Sequence, residues 1–179
     1  GKGVYISETN SEANLAVKEI FNGKFGQAKQ ILIEEFLDGE EMSYFIVTDG
    51  KNYRFFGSAQ DHKRVGEGDV GKNTGGMGCY SPSRLLSDEL EFKIRKKIIE
   101  PTLSAINRAG GVYKGFLYVG LMIKNNDPFL IEFNVRMGDP ECQTILPKLK
   151  NDLFDIIEAC VNKNLKNLNL NWTENKSLC

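Results

Sequence analysis

Residues 128–141, P-F-L-I-E-F-N-V-R-M-G-D-P-E, gather the side chains best able to do chemistry. Strand alternation predicts that Glu132, Asn134 and Arg136 share one face with Leu130, successive neighbours about 7 Å apart. Phe129, Ile131, Phe133 and Val135 would point the other way, anchoring the strand in a core. A carboxylate and a carboxamide offer hard oxygen ligands of the kind Mg²⁺ takes, and a guanidinium clamps a carboxylate or phosphate. The same pattern also suits the solvated face of an edge strand. Met137-Gly138-Asp139-Pro140-Glu141 then predicts a turn that brings two more carboxylates close by.

Three other stretches carry candidate groups. Gly1-Lys2-Gly3 sets a cation on permissive backbone, suited to a phosphate, although a lysine between glycines is equally an exposed loop. The P-loop spacing G-x-x-x-x-G-K-[ST] is absent. Residues 34–41, E-E-F-L-D-G-E-E, place four glutamates and Asp38 around a strand end, where backbone groups and a carboxylate can meet an adenine edge and a ribose; a solvated turn is the plain alternative. Residues 60–80 form a long polar, glycine-rich loop in which Asp61-His62-Lys63-Arg64 and Asn73-Thr74-Gly75-Gly76-Met77-Gly78 combine cations, amides and glycines. Such a loop either wraps anionic groups and closes over them or is a charged surface loop. No Ser-His-Asp or Cys-His arrangement stands out.

The elements that must position these groups follow from periodicity. Thr9 and Glu12 make a capping box, and Ala13, Ala16, Val17, Ile20 and Phe21 mark an amphipathic helix ending near Gly23. Strands are predicted at 4–7, 31–37, 42–48 and 52–58, the last two joined by the Asp49-Gly50 hairpin turn. Ser87 caps a helix running to Ala109, with a kink or break expected at Pro101. Strands at 113–124 and 128–135, joined by a turn at Asn125, precede a final helix marked by Leu153, Ile156, Ile157, Cys160 and Val161. Helices with mainly hairpin-connected strands define an α+β class.

Composition narrows the function classes. The 179 residues carry a net charge of −1, which gives no reason to expect a nucleic-acid or anionic-membrane surface. No apolar run approaches the ~18 residues needed to span a bilayer. Cys79, Cys142, Cys160 and Cys179 include no C-x-x-C pair, which fits reduced thiols in a cytoplasmic setting better than zinc or a disulfide frame. Both ends read as cut, so the chain is expected to be an excerpt of a longer protein.

Taken together, G-K-G-V, E-E-F-L-D-G-E-E, Q-D-H-K-R, N-T-G-G-M-G-C-Y-S-P, G-F-L-Y-V-G-L-M-I and I-E-F-N-V-R-M-G-D-P-E closely resemble the ATP-grasp part of the phosphoribosylamine–glycine ligase family, from Gly1 to about Val161. The resemblance implies a partial ATP-grasp fold, with residues 1–37 belonging to the small lobe and hinge and 38–179 to the core subdomain. It implies that the amino- and carboxy-terminal domains of the parent enzyme are absent. Lys2 would contact ATP phosphates, Glu34, Glu35, Phe36 and Leu37 would receive adenine, and Glu41 would bind the ribose. Arg64 and Asn73 would face the nucleotide, and Glu132 and Asn134 would hold Mg²⁺ or Mn²⁺. Arg136, Asp139 and the glycines of 74–78 would lie near the glycine and phosphoribosylamine sites.

The reaction so implied is ATP-dependent joining of glycine to 5-phosphoribosylamine through glycyl phosphate, which needs no side-chain nucleophile. Two features stand apart from this pattern. Residues 113–124 contain no Asp or Glu, although ATP-grasp sites usually draw acidic metal ligands from two neighbouring strands. The part of the substrate site carried by the amino-terminal domain is also missing, so the excerpt alone is expected to be inactive. The competing readings are another ATP-grasp carboxylate–amine ligase and a non-catalytic nucleotide-binding module.

Overall fold

The structure is a computed structural model that describes residues 3–68, 70–74 and 76–179, with only the backbone of Val70, Lys72 and Asn73. The chain divides into two compact units, Gly1–Leu37 and Asp38–Cys179. In the first, helix α1 (Asn10–Phe21) starts where Thr9 accepts a hydrogen bond from the Glu12 amide, and the Glu12 carboxylate accepts one from the amide of Glu8. The expected capping box is therefore formed one residue out of phase. Glu19 holds Tyr5 and Lys24 through its carboxylate. Residues 4–7 and 31–37 form no regular strand and pair with no strand among the described residues, which corrects the strands expected there.

The second unit is built on a six-stranded sheet of order β7-β6-β1-β2-β5-β8, all neighbours antiparallel. Its strands are β1 (Glu40–Thr48), β2 (Tyr53–Asp61), β5 (Cys79–Ser81), β6 (Gly115–Lys124), β7 (Asp127–Asn134) and β8 (Ser177–Leu178). The β1–β2 turn is shaped by Asp49, whose carboxylate accepts from the amides of Lys51 and Asn52. The β6–β7 turn uses Asn125 and Asn126, both with positive φ, as a two-residue hairpin requires.

The polar stretch 60–80 is not one loop. It contains the end of β2, a separate two-stranded ribbon of β3 (Arg64–Gly66) and β4 (Val70–Asn73), and then β5. Glycine-rich spacing hid the ribbon, because the residues that turn the chain outnumber those that pair.

One sheet face is covered by a helix running through α2 (Asp88–Ile94), a π-helical turn (Arg95–Ile99) and α3 (Glu100–Arg108). Leu90, Ile94, Ile98 and Ile99 pack there on Met42, Tyr44 and Ile46 of β1 and Leu117, Val119, Leu121 and Ile123 of β6. The expected interruption at Pro101 takes the form of that π turn. A proline lacks an amide proton and crowds the carbonyl four residues back, and the wider turn immediately before it relieves both without breaking the helix.

The opposite face is half covered. Phe45, Val47, Phe56 and Tyr118 meet Ile145 of α4 (Glu141–Ile145), Ile156 and Cys160 of α5 (Leu153–Val161), and Leu165. The other end of that face, near the start of β1, carries polar side chains instead. Among the described residues no helix is long and apolar enough to cross a membrane.

Truncating the helix-side core tests this packing. Leu121→Ala is expected to cost about 3 kcal/mol in chemical denaturation, whereas Phe92→Ala, at an exposed helix position, should stay within about 0.5 kcal/mol.

Candidate active site

β7 does not alternate as the simple pattern predicts. Its pairing with β6 runs Asn134 to Tyr118, Phe133 to Val119 and Glu132 to Gly120, then resumes with Leu130 to Leu121 and Phe129 to Met122. Ile131 is the extra residue of a β-bulge, which resets the alternation. Paired residues share a face, so Phe133 and Leu130 lie on the helix-covered side, while Phe129 joins Glu132 and Asn134 on the other. The expected apolar face of Phe129, Ile131 and Phe133 is thus corrected: only Phe133 packs on the helix-side core. β7 also ends at Asn134, so Arg136 belongs to the following turn and not to the strand.

The polar face is assembled across strands by register. Gly120 pairs with Ser43 on one side and Glu132 on the other, and Met122 pairs with Glu41 and Phe129. A Cβ on Gly120 would stand 3.2 Å from Glu132 Cγ and 3.3 Å from the Tyr118 ring, so a glycine there lets those side chains lean together. Asn134 Nδ2 donates to Glu132 Oε1 at 2.9 Å. Turning the Asn134 amide over would place two hard oxygens side by side, a donor set that suits Mg²⁺ with water and phosphate oxygens filling its shell.

Glu41 and Lys63 form an ion pair at 2.8 Å, and Gln60 Nε2 donates to the Glu41 carbonyl. Burial alone would lower the Lys63 pKa, but the hydrogen bond and charge of Glu41 outweigh it and hold the ammonium raised. Asp61, two residues earlier on the same edge, has its carboxyl pushed up to about 6, first by burial and then by the charge of Glu141. Its Oδ1 is buried without a hydrogen-bond partner among the described residues. Glu141 is itself 3% exposed and accepts from Ser43 Oγ at 2.7 Å, while the Tyr118 hydroxyl stands 3.2 Å from the same Ser43 oxygen.

The remaining expected residues are distributed as follows. Arg136 donates to the Met137 carbonyl, and Asp139 accepts from Gln143, both on the turn that leads to Glu141. Arg64 lies opposite Asn73 in the β3–β4 ribbon. Lys2 and Gly75, and the side chain of Asn73, fall outside the described residues. Glu34, Glu35 and Phe36 are exposed and Leu37 half-buried in the first unit. Ser43, Asp61, Tyr118 and Glu141 were not singled out individually from sequence. The usable signal for Ser43 was a lone serine in an apolar strand, and for Glu141 a glutamate just after a Gly-Asp-Pro turn.

A separate cavity beside the β1–β2 hairpin is lined by Tyr53, Arg54, Arg95 and Glu100. Those groups bond to one another or to backbone carbonyls, and none belongs to the polar face.

A mostly antiparallel sheet with an acidic, amide-bearing face and an adjoining glycine loop is the ATP-grasp arrangement, and the comparisons agree. The sequence profile of the phosphoribosylglycinamide synthetase ATP-grasp (A) domain matches residues 1–142, and the chain belongs to that family. A phosphoribosylamine–glycine ligase of Chlorobaculum tepidum is 50% identical over 168 residues, spanning 93% of this chain and 40% of that protein. The crystal structure of phosphoribosylamine–glycine ligase from Thermotoga maritima superposes with a TM-score of 0.79 at 32% identity, over 91% of this chain and 42% of that one. The biotin carboxylase domain of Hydrogenobacter thermophilus 2-oxoglutarate carboxylase, solved with MgADP and bicarbonate, shares the fold: TM-score 0.64 at 16% identity, over 89% of this chain and 33% of that one. The chain thus spans about two fifths of the length of the ligases it matches.

The half-buried Asp61 gives a pH test. Its folded pKa lies above the ordinary aspartate range near 3.8, so the folded state holds the proton more tightly and stability falls as pH rises from about 4 through about 6. Asp61→Asn should therefore raise the melting temperature at pH 7.5, have little effect at pH 4, and flatten the profile between them.

Proposed function

We propose that this chain is the ATP-grasp part of an ATP- and Mg²⁺-dependent ligase that joins glycine to 5-phosphoribosylamine, giving glycinamide ribonucleotide, ADP and phosphate. The observation that carries the reading is the pairing of Glu132 with Asn134 on an open sheet face, in a chain of this family. The fold relative holding MgADP supports a nucleotide–metal site of this kind.

In this reading Lys2 binds ATP phosphates, and Glu34, Glu35, Phe36 and Leu37 receive the adenine. Glu41 binds the ribose hydroxyls, exchanging part of its contact with Lys63, and Arg64 and Asn73 face the nucleotide. Glu132 and Asn134 hold the metal. Mg²⁺, when bound there, neutralises phosphate charge and fixes the direction of transfer. It tolerates few protein ligands, which accounts for β6 supplying no carboxylate.

Arg136 clamps the carboxylate of glycine beside the γ-phosphate, and Asp139 lies near the amino-acid and amine substrates with the glycines of 74–78. A glycine carboxylate oxygen takes the γ-phosphoryl group and ADP leaves. The amine of phosphoribosylamine then attacks the acyl carbon, phosphate departs, and the amine gives up a proton. Charge neutralisation and alignment do the work, so no nucleophilic side chain is needed. The pathway places the enzyme in the cytoplasm, in purine synthesis, with the rest of the parent chain completing the site.

The test is ADP release by the full-length protein. It should require glycine and phosphoribosylamine together; dependence on bicarbonate would refute the reading. Glu132→Ala and Asn134→Ala should each lower kcat by about 10²-fold or more, with little change in melting temperature because neither side chain is buried. Unimpaired function in both variants would favour a non-catalytic nucleotide-binding module. The isolated 179-residue chain should show no ligase turnover.

A further inference from the structure

Residues 135–140, which carry Arg136 and Asp139, leave the sheet at Asn134 and enter the short helix α4. Their hydrogen bonds among the described residues are local: Arg136 to the Met137 carbonyl, the Cys142 amide to the Gly138 carbonyl, Gln143 to Asp139, and the Thr144 hydroxyl to the Pro140 carbonyl. The polar tie from this segment to the sheet is the buried carboxyl of Glu141, which accepts the Ser43 hydroxyl from the middle of β1; Thr144 adds a contact to the Cys79 thiol, and Met137 and Ile145 pack on the apolar cluster of that face.

Two glycines are shaped around this point. A Cβ on Gly138 would fall 2.0 Å from Glu141 Oε2, and Gly138 does not have a positive φ, so close approach and not backbone conformation calls for glycine. A Cβ on Gly76 would stand 2.9 Å from Pro140 Cδ and 3.0 Å from Asp61 Oδ1. The glycine loop and the turn therefore close on the same carboxyl pair. A buried carboxyl beside a second one is a poor way to add stability, since an apolar side chain of similar volume would pack there without desolvating a charge. Holding geometry is the better account.

We propose that Glu141 is a positioning residue. By accepting the Ser43 hydroxyl it pins the turn carrying Arg136 and Asp139 to β1, and so sets where the carboxylate of an amino-acid substrate lies relative to Glu132 and Asn134. The inference rests on the ligase reading and adds to it the part that orders its amino-acid subsite.

The test uses the full-length protein and steady-state kinetics with glycine and ATP varied separately. Glu141→Ala and Ser43→Ala should raise the KM for glycine by about tenfold or more and lower kcat, leaving the KM for ATP within about twofold. The double variant should be no worse than Glu141→Ala, because both changes remove one hydrogen bond. Glu141→Gln keeps an acceptor for Ser43 and should stay within about threefold of wild type on the glycine KM, whereas Gly138→Ala, which drives a methyl into the carboxyl, should reproduce Glu141→Ala. Should Glu141→Ala fail to fold, Ser43→Ala, which removes a single hydroxyl, carries the comparison. Equal rises in both KM values, additive single effects, or an unchanged glycine KM would overturn the proposal while leaving the ligase reading in place. Absence of glycine-dependent ADP release in the wild type would overturn both.

Discussion

A strand can serve a core and a reaction site together only while its side chains alternate, and an inserted residue resets that alternation. In β7 the insertion at Ile131 does this in the middle of the strand. Leu130 and Phe133 are both delivered to the helix-covered side although they are three residues apart, and Glu132, Asn134 and Phe129 are delivered to the open one. The apolar Phe129 thereby comes to lie next to Met122 and the ladder position of Glu41, on the open side of the sheet. Uninterrupted alternation would have put Phe129 on the same side as Phe133 and Leu130, in its place, beside the acids on the open face.

The polar end of that face is organised by contacts that cost free energy on their own. Asp61 is partly desolvated, with one oxygen unpaired among the described residues, and Glu141 is buried beside it. Lys63 offsets part of the charge but is itself committed to Glu41. Such groups persist where the surrounding framework over-determines them, and here it does: three strands, a five-residue helix and two close-approach glycines converge on the pair. The sheet's helix-side core, apolar apart from the buried Tyr44 hydroxyl, supplies the stability against which this arrangement is held.

Much of the framework was legible from local pattern. The Thr9 and Ser87 caps, the Asp49 turn and the apolar runs of β1 and β6 each state their structure within a few residues. Glu132 and Asn134 were legible as a pair because two residues of strand separation survive the bulge on their own side of it. What was not legible depended on register or on burial decided from elsewhere. The bulge appears only when β7 is paired with β6. The β3–β4 ribbon was masked by its glycines. The run at 31–37 has strand composition but, among the described residues, no strand partner. The burial of Glu141 depends on Ser43, almost a hundred residues earlier, so nothing near position 141 announces it.

β7 is also the outer strand of the sheet, and Phe129, Leu130 and Ile131 are 40–43% exposed along it. An unpaired edge with three consecutive apolar residues is ordinarily a template on which another chain can add a strand. Here Pro128 removes a donor at the start, the bulge breaks the regular spacing of amides and carbonyls, and Asp127 and Glu132 bracket the run with negative charge. The irregularity that sorts the side chains of this strand between two faces is thus also its guard against association through the backbone, so straightening the strand would make the protein prone to self-assemble as well as disturb its site.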